Sequence, residues 1–183
     1  ADARLIRIDT TGYRVIMASG KHIYPGFIAL NTQLGLTEVD AVRATRDFAE
    51  VGEFTPHVRA LVAYNTESRI LPTIRSNGVL LAQIVPRGGG IAGTSSAIQL
   101  DAWNWEDAAV AADNGVHLYW DALYRRRGWW SAQSGVSKNK AWEKTIQELQ
   151  QFLDEAKAYH ERPSTSVVHQ PFAAMKGLFT GAK

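Results

Sequence analysis

The sequence predicts an α/β fold organised around a strand–helix–strand unit, and three features carry that expectation. Residues 25–30 form a short apolar run that enters through a rigid Pro-Gly pair and gives out in polar side chains. Residues 79–85 (Val-Leu-Leu-Ala-Gln-Ile-Val) are nearly continuously apolar, enter through Asn77-Gly78 and stop at Pro86. Such a run fits a strand covered on both faces in a parallel sheet. Between the two lies a segment with helical spacing of apolar residues, and a crossover of this kind is right-handed.

In chain order, residues 1–24 read as short strands. Leu5, Ile6 and Ile8, then Val15, Ile16 and Met17, flank the turn signal Asp9-Thr10-Thr11-Gly12, and Ser19-Gly20 makes a second turn. After the 25–30 strand, Thr37 is placed to cap a helix over 38–50. Val39, Val42 and Phe48 would supply its apolar side, with Arg43/Asp47 and Arg46/Glu50 paired outside. Each pair contributes only about 0.3–0.5 kcal/mol, so this helix needs a surface to pack on. Residues 105–112 read as a short helix ended by Asn114-Gly115. Residues 116–120 alternate enough to be extended, and equally suit the start of a helix running to Arg127; both readings stand. The clearest helix covers 139–161, where Trp142, Ile146, Leu149, Leu153, Ala156 and Tyr159 recur at three- and four-residue spacing. Pro163 and a Ser/Thr cluster end it, and a short amphipathic stretch follows at 171–179.

With 183 residues the chain is roughly one domain. A net charge of +2 is too mild to argue for nucleic acid or a membrane surface, so neither is expected as a partner. No apolar run approaches the roughly 18 residues that span a bilayer. The absence of cysteine excludes disulfides, thiol catalysis and cysteine zinc sites. It leaves the compartment open between a periplasmic or exported parent and a cytoplasmic one.

Two stretches carry candidate chemistry. In a strand, residues i and i+2 share a face, so Asn31 and Gln33 are expected to converge where the first strand gives out. The second stretch is Pro86-Arg87-Gly88-Gly89-Gly90. Consecutive glycines let backbone N–H groups approach an anion, and Arg87 adds a fork suited to carboxylate or phosphate. The same glycines suit a plain hairpin or lid. Neither a Walker A loop nor a G-x-S-x-G elbow occurs. His22, His57, His117, His160 and His169 are scattered, without metal-ligand spacing, and read as structural or surface residues. The six tryptophans read as core filling. Arg125-Arg126-Arg127 before Gly128 reads as a helix end complementing the dipole.

The segment Pro25-Gly26-Phe27-Ile28-Ala29-Leu30-Asn31-Thr32-Gln33-Leu34-Gly35 resembles the first barrel strand of the amidohydrolase superfamily. The pattern there is Pro-Gly-Phe-Ile-Asp, a spacer, then His-x-His. The block 77–107, including Gln99-Leu100-Asp101-Ala102-Trp103-Asn104-Trp105-Glu106-Asp107, is similar to the corresponding region of imidazolonepropionase-like amidohydrolases, many of them exported. The resemblance implies a partial TIM (β/α)-barrel, because two buried strands cannot close a cylinder of eight. On that reading 1–24 is a remnant of the small β-sandwich domain, and 25–183 is the N-terminal part of a metal-dependent-hydrolase-type barrel. It also implies a divalent metal of the zinc type, which in the family lowers the pKa of an attacking water.

The two histidine positions are Asn31 and Gln33 here, and the aspartate preceding them is Ala29. Carboxamides are poor zinc ligands, so no metal ligand is assigned within the chain. Asn31, Gln33, Arg87, Gly88, Gly89 and Gly90 are instead the candidate substrate-binding residues, and the resemblance leaves the catalytic residues to later strands. The implied function is the N-terminal portion of an amidohydrolase-like hydrolase acting on non-peptide C–N bonds of a small molecule, inactive on its own. The alternative is a non-catalytic ligand-binding or assembly protein on the same scaffold. A partial barrel exposes strand edges, so self-association, or pairing with a missing C-terminal barrel portion, is expected.

Overall fold

The computed structural model describes residues 9–127, 135–162 and 168–181. Its centre is a four-stranded sheet in which strands follow one another in chain order. Strand β1 (Phe27–Thr32) lies beside β2 (Val79–Ile84), and the two run parallel, with Phe27 opposite Val79 and Thr32 opposite Ile84. Both strands stand where their apolar runs place them, and they have the relation a β-α-β unit demands.

The crossover helix is not at 38–50. It is α1 (Ile70–Ser76), where Pro72 sits in the first turn and lacks no needed N–H. Residues 38–50 contain only a 3-10 turn, Arg43–Thr45. The Thr45 hydroxyl accepts from the Val39 N–H at 3.1 Å and lies 2.9 Å from both the Val39 and Val42 carbonyls. Those local bonds compete with a helical ladder. Thr37 caps nothing; it bridges Arg46 across this loop, and the Asp47 N–H donates to the Leu36 carbonyl at 2.8 Å. Val39 and Val42 are exposed, and of the three apolar residues only Phe48 packs against the larger core cluster.

Beyond β2 the sheet turns antiparallel. Strand β3 (Ile91–Gln99) pairs with β2 on one side and with β4 (Ala109–Leu118) on the other. The architecture is therefore mixed α/β, and within this sheet only β1 and β2 are parallel neighbours. Helix α2 (Trp105–Ala108) is one turn, capped by Asn104, whose Oδ1 accepts from the Asp107 N–H at 2.7 Å. The chain then enters β4 instead of remaining helical to residue 112.

Residues 116–118 close β4, which settles that segment as extended. Strands β5 (Tyr124–Arg127) and β6 (Gly135–Lys138) form a separate antiparallel pair. The three arginines therefore sit in a strand, not at a helix end, and Arg125 pairs with Asp121 at 2.9 Å. Among the tryptophans, Trp103 and Trp120 are exposed instead of filling the core, and Trp105 and Trp142 are half-buried. Trp129, Trp130, Pro163 and the strand read at 5–8 lie outside the described residues. Val15, Ile16 and Met17 are exposed, and residues 9–24 hold no strand and pair with none among the described residues.

The helix read at 139–161 is α3 (Trp142–Glu161), followed by α4 (Gln170–Ala174) and α5 (Lys176–Thr180). Two apolar clusters hold the molecule. Leu36, Leu61, Leu71, Ala82, Ile84 and Ile98 form the larger, between the sheet and residues 58–76. Ile91, Leu149, Phe152, Ala156 and Met175 form the second, where Phe54 stacks on Phe152 with centroids 4.8 Å apart. No helix among the described residues is long and apolar enough to cross a membrane.

Candidate functional site

In open α/β sheets ligands bind outside the carboxyl ends of parallel strands, so the ends of β1 and β2 are the place to look. The register brings them level, and the Val85 N–H donates to the Thr32 carbonyl at 2.9 Å. The strand alternation from which the convergence of Asn31 and Gln33 is expected is disturbed here. Asn31 has a left-handed φ of 54°, and the register with β2 slips between Ala29 and Thr32. That interrupts the alternation on which an i,i+2 argument rests. Asn31 is exposed at the edge, whereas Gln33 lies one residue past the strand, half-buried. The Gln33 side-chain Nε2 is buried without a hydrogen-bond partner among the described residues.

The glycine loop is the turn of the β2–β3 hairpin, the plain alternative the residues left open. Its amides are partly committed: Arg87 N–H donates to Phe48 O at 2.6 Å, and Gly90 N–H to Glu53 O at 2.7 Å. Gly89 has a φ of 62°, and a Cβ there would stand 2.6 Å from the Glu53 carbonyl oxygen. Close backbone approach thus accounts for the glycine at 89. The Arg87 side chain is exposed beside Tyr119, whose hydroxyl donates to Pro86 O at 2.7 Å. Burial raises the Tyr119 pKa, and the Arg87 charge opposes that rise.

A divalent ion is what the family resemblance implies, and these residues do not fit one. Two neutral carboxamides, one exposed and one half-buried, are weak donors for a transition metal. Among the described residues no three His, Cys, Asp or Glu side chains gather as a metal would require.

A second polar group at the same end of the sheet escaped the sequence reading. Because Ile84 is opposite Ser96, residues 91–95 of β3 extend past the carboxyl end of β2. The space beside them is taken by residues 54–59, which run parallel to β3 through bridges Phe54–Ile91 and Arg59–Thr94. Thr94 N–H donates to Val58 O and Thr55 N–H to Ile91 O, both at 2.7 Å. Side chains then link across the strands. Gln83 Nε2 donates to Ser95 Oγ at 3.3 Å, and Ser95 donates to Asn114 Oδ1 at 2.8 Å. Thr94 Oγ1 donates to Asp113 Oδ1 at 3.1 Å, and Arg59 Nε to Asp113 Oδ2 at 2.8 Å. Ser95 and Ser96 are fully buried, so these bonds satisfy groups that would otherwise be costly.

His57 stands two residues before Arg59 with its Nδ1 buried and without a hydrogen-bond partner among the described residues. Pro56 and His57 form a turn closed by the Val58 N–H donating to the Thr55 carbonyl at 3.0 Å, and no motif in the sequence marks it. His117, read as packed, is half-buried on β4, and burial depresses its pKa.

No family model matches the chain, and no curated protein matches it. Among solved structures it is similar to an amidohydrolase from Thermotoga maritima MSB8, with a TM-score of 0.72 at 17% identity. The likeness covers 95% of this chain and 47% of that one, so the chain spans about half the length of its neighbour. At that identity the finding establishes a shared fold: nearly all of this chain has the fold of part of an amidohydrolase.

Proposed function

We propose that the chain is the N-terminal part of an amidohydrolase-like hydrolase of non-peptide C–N bonds, and that it has no hydrolytic activity alone. The observation that carries this reading is the parallel β1–β2 pair itself. It is built from the segment that resembles the family's first strand, within a fold shared with an amidohydrolase. On this reading residues 25–183 belong to the barrel, and Asn31, Gln33 and the loop of Arg87, Gly88, Gly89 and Gly90 border the substrate. The groups that perform the chemistry come from the remainder of the parent. Strand β1 is an edge strand bearing the exposed Phe27, Ile28 and Leu30, which the rest of the parent would cover. The isolated chain self-associates through it.

A second reading is favoured by one specific observation, the amides at the positions where the family places metal-binding histidines. It makes the parent a non-catalytic binder on the same scaffold. Metal analysis and a hydrolysis assay of the full-length parent separate the two. Stoichiometric zinc with turnover of an amide or cyclic-imide substrate supports the hydrolase. A metal-free, inactive protein that still binds a small ligand supports the binder. Turnover by the 183-residue chain alone would overturn both.

A further inference from the structure

We draw no further inference here: the strongest candidate, the apolar groove between β4 and helices α3 and α5 lined by Val116, Leu118, Leu153 and Leu178, carries nothing because nothing in the structure shows what covers it.

Discussion

Tyr64 packs its ring against Gly35, three residues past β1, and its hydroxyl is buried without a hydrogen-bond partner among the described residues. Burial pushes its pKa up to about 12, with the Arg75 charge opposing the rise. The folded value exceeds the unfolded one, so the neutral phenol's contribution is fully present below pH 10. Between pH 10 and 12 the unfolded chain gives up its proton first, and that contribution is lost. The loss amounts to at most about 2–3 kcal/mol. In Tyr64→Phe the orphan hydroxyl disappears, so stability at neutral pH should be unchanged or up to about 1 kcal/mol higher. Urea titrations at pH 7 and across the alkaline range check both parts. Equal alkaline slopes for wild type and variant would show that the Tyr64 proton is not what the fold loses.

Among the elements, the pairing of residues 54–59 with β3 carries the polar group, and Gly93 permits it. Gly93 has a φ of 126°, and a Cβ there would collide with the Val58 carbonyl oxygen, which accepts from Thr94 N–H. Gly93→Ala should therefore cost about 2 kcal/mol or more, from backbone strain and collision together. Chemical denaturation measures it, and a loss well under 1 kcal/mol would mean that the 54–59 segment yields freely. The same residues explain what could and could not be read from the chain. Strands β1 and β2 were legible because each is an apolar run bounded by turn residues, and α3 because its apolar stripe persists over five turns. Strand β3 was not, because Ala92-Gly93-Thr94-Ser95-Ser96 is buried by close backbone approach and hydrogen bonding, which leave no hydrophobic period. Residues 38–50 carry a helical pattern of which only Phe48 reaches the core, and Thr45 closes a loop instead. The candidate site divides in the same way. Arg87 and the glycine loop follow from a strand end, whereas Arg59 and Asp113 stand 54 positions apart and meet only through the fold.

For the molecule as a whole, the decisive feature is an apolar edge that no strand covers among the described residues. The sheet stops at β1, where Phe27 is 68% exposed, Ile28 58% and Leu30 71%. Natural edge strands are protected by charge, proline, bulges or a covering element. Here the register slips twice, between Phe27 and Ile28 and between Ala29 and Thr32, yet Phe27, Ile28 and Leu30 still present apolar side chains to solvent. An edge like this recruits another strand, and for the isolated chain the available strand belongs to a second copy. Sedimentation velocity over a range of concentrations should show reversible association. Ile28→Lys places a charge on the edge without entering either core, and should weaken association by about tenfold or more, as charged edge residues do in protected sheets. The exposed Val15, Ile16 and Met17 offer a rival contact, so Ile16→Lys serves as the comparison. If Ile16→Lys dissociates the chain while Ile28→Lys leaves it associated, the contact is made by the N-terminal segment and β1 is not the surface that awaits the rest of the barrel. A monomer at every concentration would remove the need for a covering partner altogether.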